Sequence, residues 1–151
     1  MSSFEGLALV ATICNTIGAA SPYALWYSDG KRQCVLDLSD YVRGPGGLTG
    51  ITYHSNRIYV AVQAAPSRIL VLDMGLNVVD VIVNENFNDL HSIQIVDSAL
   101  YIVSSRNGNL LKRDLTNGHT TVVADLDPKA WVCGVHCRSD DIWLCCHHLS
   151  Y

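Results

Sequence analysis

A chain of 151 residues, 49% hydrophobic and 16% charged, can bury the core of one domain and is too apolar for a disordered segment. Its 10 basic residues against 14 acidic ones give a formal net charge of −4, and no basic stripe is present to neutralise a phosphate backbone, so no nucleic-acid partner is expected. The longest apolar stretch, Leu7 to Ala20, is broken by Thr12, Asn15 and Thr16 and falls short of the roughly 20 residues a spanning helix needs, so no membrane partner is expected either.

The first predicted element is a strand over Leu7 to Thr12. No Lys or Arg precedes it, and Glu5 sits where a signal peptide would carry positive charge, so the segment reads as structure. A long loop containing Gly18 and Pro22 leads to strands over Tyr23 to Ser28 and Gln33 to Leu38. From Gly47 the chain supplies four strands: Leu48 to Tyr53, Arg57 to Gln63, Ser67 to Asp73 and Val78 to Val83, each rich in β-branched or alternating apolar residues. Four more follow over Leu90 to Ile95, Ala99 to Ser105, Asn109 to Asp114 and Thr120 to Ala124, with a turn through Asn117 and Gly118 before the last. Two strands, beginning at Val132 and near Ile142, complete the series.

These elements are copies of one another. The step from Leu48 to Leu90 and from Leu90 to Val132 is 42 residues, and the same step joins Ile58, Leu100 and Ile142, then Tyr59, Tyr101 and Trp143, then Val60, Ile102 and Leu144. A repeat of this length built of short strands is the signature of a β-propeller blade, with strands a to d running outward from the axis. The expected fold is therefore all-β, a single domain over 1–151 with blades near 4–44 (strands b to d), 45–87, 88–130 and 131–151 (strands a and b). This is about three blades, and closed rings have about four to eight. Open sheet edges at both ends predict either a piece of a longer propeller or completion of the ring by self-association, as a homodimer in which Cys133 to Tyr151 of one copy meet Ser3 to Asp40 of the other.

The run Gly-Ile-Thr-Tyr-His-Ser-Asn-Arg-Ile-Tyr-Val-Ala at 50–61, with its repeats, resembles the propellers of the NHL and SMP-30/gluconolactonase-like group, including the virginiamycin lyase type. The likeness covers nearly the whole chain and consists of strand and turn residues, so it implies the fold far more than an activity. The Trp-Asp pair of WD40 blades is absent, and so is the double glycine that kelch repeats carry on strand b. In the metal-dependent lactonases of the group, acidic and amide side chains from the inner strands hold a calcium-type ion in the central tunnel, and no complete set of that kind maps onto this sequence.

Ligands of propellers bind mostly at the mouth of the central channel. The repeat places Thr49, His91 and Cys133 at one equivalent position near the start of strand a, and adds Asp89, Arg106 and Trp131 as the polar and stacking residues around them. Asp89 two positions before His91 suits an acid–base pair near neutral pH; the plainer reading is that both satisfy backbone groups at a strand entry. The C-terminal group Cys133, His136, Cys137, Cys145, Cys146, His147 and His148 has zinc-ligand chemistry. Against that, Cys145 aligns with Ala61 and Val103, and Cys137 with Tyr53 and Ile95, positions expected to be core, and adjacent strand residues point to opposite faces. Cys146 with His148 is the remaining metal candidate.

Tyr59, Tyr101 and Trp143 are expected to fill the space between neighbouring blades, and Asp73 and Asp114 to cap turns. No phosphate loop, nucleophile elbow or His-Glu-x-x-His helix is present. Six unevenly spaced cysteines favour a reducing, cytoplasmic setting. The sequence thus points first to a module that binds a small molecule or protein, without chemistry or cofactor of its own. The alternative is a lactonase or lyase of the SMP-30 or virginiamycin-lyase type, with His91 as base and a divalent cation at the channel.

Overall fold

The computed structural model describes residues 8–11, 24–28, 33–41, 46–63, 65–127, 132–138 and 141–146. Alternating apolar residues bounded by turn formers give thirteen strands among them, with no α-helix and two single 3-10 turns, Ser39–Tyr41 and Ser105–Asn107. β1 (Ala8–Ala11), β2 (Ala24–Ser28) and β3 (Gln33–Asp37) form a three-stranded antiparallel sheet. β4 (Leu48–His54), β5 (Arg57–Val62), β6 (Arg68–Leu72) and β7 (Val78–Ile82) form a four-stranded meander. β8 (Leu90–Val96), β9 (Ala99–Ser104), β10 (Asn109–Asp114) and β11 (Thr120–Asp125) form a second. β12 (Val132–Arg138) and β13 (Asp141–Cys146) pair as a final hairpin. No helix among the described residues is long and apolar enough to cross a membrane.

Turn chemistry fixes the hairpins. Ser55 and Asn56 both take left-handed backbone, at φ 48° and 60°, the geometry of the tight turn that matches strand twist. The β10–β11 turn is longer: Gly118 stands at φ 76° and donates its N–H to Asp114 O at 2.9 Å. Asp114 also accepts the Thr116 N–H at 2.7 Å, and Asp73 accepts the Asn77 N–H at 2.9 Å, so both aspartates cap turns as their position implies. The Thr116 hydroxyl, which donates to Asp114 Oδ1 at 2.6 Å, and the Thr116 N–H hold the Asp114 carboxyl below the usual range, and the Asn77 N–H with the Asn77 side-chain amide does the same for Asp73.

Period-two alternation sends neighbouring side chains to opposite faces, and the sheets pack through those faces. Ile58, Val60 and Val62 of β5 join Leu38 and Leu48 in one buried cluster, whereas Tyr59 and Ala61 turn the other way and meet Leu90, Ile93, Leu100 and Ile102 of the following sheet. Tyr101 and Val103 of β9 in turn meet Val132, Val135 and Leu144. Each fully buried Leu or Ile in these seams contributes about 1.5–3 kcal/mol, so the seams supply the main cohesion between sheets. β4, β8 and β12 lie side by side in that order, and β1 lies against β4 as β5 lies against β8 and β9 against β12. Backbones approach closely along this row: a Cβ on Gly50 would stand 2.9 Å from the Ile93 backbone N.

Two expectations need correction at the last sheet. Cys145 is exposed although its repeat counterparts Ala61 and Val103 are fully buried, and Trp143 is 63% exposed where Tyr59 is 8% exposed. The physical reason is shared: among the described residues no sheet packs beyond β13. Cys137, by contrast, is buried as expected, and burial pushes its thiol up.

Candidate functional site

Each strand of the row β4, β8, β12 begins with a break in register. The ladder steps across one extra residue between Leu48 and Gly50, between Leu90 and Ser92, and between Val132 and Gly134. The residues carried by these three bulges are Thr49, His91 and Cys133, the equivalent positions singled out by the repeat. A bulge bends its strand and re-aims the extra side chain, and bulges are over-represented beside functional sites.

Polar contacts gather across the seam between β4–β7 and β8–β11. Thr49 Oγ1 donates to Leu90 O at 2.7 Å. Gln63, just past the end of β5, donates from Nε2 to Asp89 Oδ1 at 2.7 Å, and the same nitrogen stands 3.1 Å from His91 Nε2. The role of His91 Nε2 follows the tautomer: it accepts from Gln63 with the ring proton on Nδ1 and donates to Asp89 with the proton on Nε2. Asp89 Oδ1 and His91 Nε2 are 3.5 Å apart. Ser67, buried beside them, donates from Oγ to Gln63 O at 2.9 Å and accepts the Asp89 N–H at 3.0 Å. Asp89 itself takes left-handed backbone at φ 59°, which aspartate tolerates better than most side chains.

Burial raises the Asp89 carboxyl, yet hydrogen bonds from His91 and Gln63, with the charges of His91 and Arg106, outweigh it and hold the group below the usual carboxylate range. Arg106 is exposed and reaches the cluster through its backbone, donating its N–H to Asn88 O at 3.3 Å. The following seam is simpler. Ser105, the repeat counterpart of Gln63, donates its hydroxyl to Val132 O and its N–H to Asp89 O at 3.1 Å. Cys133 Sγ donates to Cys145 O at 3.4 Å within its own hairpin.

The structure thus brings Thr49, Asp89, His91 and Arg106 to one region and joins Cys133 to it through Ser105 and Val132. Trp131 and His148 lie outside the described residues. Cys146 ends β13 and pairs across to Val132. Gln63, Ser67 and Ser105 were not singled out from the sequence. Their one visible signal is a polar residue at the end or start of a strand that is otherwise apolar.

A divalent cation does not fit what is gathered. Asp89 brings a single carboxylate, and the oxygen that faces the cluster already accepts the Gln63 amide. Among the described residues no three His, Cys, Asp or Glu side chains converge. Two clefts between sheets, of about 490 and 410 Å³, lie elsewhere: Tyr101, Lys112, Cys137 and Ile142 line the first, and Tyr59, Asp80 and Arg113 the second. Neither touches Asp89 or His91. In the larger one Lys112 Nζ sits 5.8 Å from the Tyr101 ring centroid. No protein-family profile and no curated protein matches the chain.

Proposed function

We propose that the chain is a β-propeller module whose sheets are blades of a ring, and that it binds a small molecule or a protein segment at the mouth formed by the starts of the inner strands, without chemistry of its own. The observation that carries this reading is the row of bulges at Thr49, His91 and Cys133, with Gln63, Asp89 and His91 hydrogen-bonded across the seam beside it. Three equivalent, re-aimed positions on adjacent strands offer one surface that can contact a ligand from several sheets. The resemblance to the NHL and SMP-30/gluconolactonase-like group supports the same ring. Calorimetry or thermal shift against metabolites, sugars and short peptides tests it. Saturable binding that His91→Ala and Gln63→Ala each weaken is expected. A ligand that binds both variants as tightly as the parent protein places the site elsewhere and overturns the reading.

The Asp89–His91 pair also suits the lactonase or lyase alternative, in which His91 would take a proton from the substrate. Turnover abolished by His91→Ala would favour that alternative; binding without turnover leaves the module reading in place.

A further inference from the structure

We infer that the cleft of about 410 Å³ between the β4–β7 and β8–β11 sheets is a binding site for an organic monocarboxylate, with an arginine fork and a phenol on the carboxylate and aliphatic side chains around an apolar body. Both sheets that form it have four strands. Arg57 opens β5 and Arg113 is the penultimate residue of β10, whereas Gln63 follows the far end of β5. The cleft therefore lies at the opposite end of the strands from Asp89 and His91 and shares no residue with that cluster. It stands or falls independently of the mouth.

Tyr59 is the residue on which the site turns. It is only 8% exposed, because its ring packs in the seam with Leu100 and Ile102, yet it lines the cleft. Its hydroxyl has no hydrogen-bond partner among the described residues and is not sealed inside the packing. A polar group held in an apolar seam without a partner forgoes the bonds it would make in water, and a ligand entering the cleft restores one. Burial, the largest influence on the phenol, pushes its titration up. At neutral pH it keeps its proton and can donate to an anion.

Arg113 supplies the fork. Its Nη1 donates to Gly118 O at 2.5 Å and to Thr120 Oγ1 at 3.2 Å, which pins the guanidinium plane, while Nε and Nη2 donate to nothing among the described residues. That free edge presents two parallel N–H groups, the geometry a carboxylate accepts in bidentate fashion. Neither Arg57 nor Arg113 has a carboxylate within ion-pair distance among the described residues. Asp80, the other charged group of the cleft, accepts the Val81 N–H at 2.8 Å. Two guanidiniums against one carboxylate leave one positive charge, which suits a monoanion better than phosphate. Val71, Val79, Ile82 and Leu115 complete the wall, and an apolar wall with a few convergent polar groups is the build of a small-molecule pocket. The cleft of the following seam repeats the tyrosine as Tyr101 but has Ala99 in the place of Arg57, and no arginine lines it.

Titration calorimetry and backbone amide NMR on the full chain test it, with hydrocinnamate as the probe. Saturable binding of one hydrocinnamate per chain is expected, with shifts centred on Tyr59, Arg113 and Leu115. Hydrocinnamide, which lacks the charge, and inorganic phosphate, which lacks the apolar body, should each bind about tenfold more weakly or worse. Arg113→Gln should weaken hydrocinnamate by about tenfold. Because Arg113 also holds its own turn, Tyr59→Phe is the second variant: it keeps the ring and the packing, removes only the hydroxyl, and should weaken binding several-fold. Asp80→Asn removes a like charge and should tighten it. Lys112→Gln, in the neighbouring cleft, should leave it unchanged. The inference is overturned if hydrocinnamate does not bind, if the amide or phosphate binds as tightly, or if Tyr59→Phe or Arg113→Gln protein binds as the parent does. Loss of binding in Lys112→Gln protein, or weaker binding in Asp80→Asn protein, would also overturn it.

Discussion

Gly50→Ala probes the spacing of the inner strands with one methyl group. The added Cβ would stand 2.9 Å from the Ile93 backbone N, 3.2 Å from Ile93 Cγ1 and 3.3 Å from the Ser92 backbone C. Two of these three atoms are backbone in the middle of a paired strand, so relief requires β4 and β8 to separate. Overpacking of this sort costs about 1–3 kcal/mol. Replacing glycine in a strand returns about 0.5–1 kcal/mol of backbone entropy, which leaves a net destabilisation of about 1–2 kcal/mol. For a chain of this size that lowers the thermal midpoint by about 2–8 °C. Urea unfolding followed by circular dichroism reads the difference directly, with the slope unchanged if the unfolded state is unaffected. A variant as stable as the parent, or more stable, refutes the close packing of β4 on β8 and with it the seam geometry.

Other substitutions read other links. Asp89 has a depressed carboxyl, so its contribution is complete above its ordinary value of 3.8 and is lost as pH falls below that toward the folded value. The stability gap between parent and Asp89→Asn, measured by urea titration at several pH values, should therefore shrink on the acid side. Gln63→Ala leaves Asp89 and His91 without their shared amide and should cost about 1–2 kcal/mol, with a coupling above about 0.5 kcal/mol to Asp89→Asn in a double-mutant cycle. Gly118→Ala forces a side chain into left-handed backbone at φ 76° and should cost about 1 kcal/mol in thermal unfolding.

The strands were legible because their side chains alternate and because the repeat registers one sheet on another. β10, Asn109–Asp114, coincides with its sequence reading for that reason. Strand ends were less legible. Gln63 and Ser105 read as the last residues of strands, yet each leaves the ladder and uses its N–H on the start of the inner strand, bonding Gly47 O at 3.0 Å and Asp89 O at 3.1 Å. Their side chains then cross the seam, a tertiary contact that no local pattern encodes. The row of Thr49, His91 and Cys133 was visible as a repeat position; that it falls on bulges depends on the pairing of two strands. Cys145 was misread because the repeat reports where a residue lies on its strand and not whether another sheet covers it.

The dependence of the unfolding midpoint on protein concentration tests the account most directly. If the sheets are blades of a ring completed by self-association, association stabilises the folded state, and dilution lowers the midpoint. A midpoint that does not move with dilution, in a chain that unfolds cooperatively as a single copy, would contradict it.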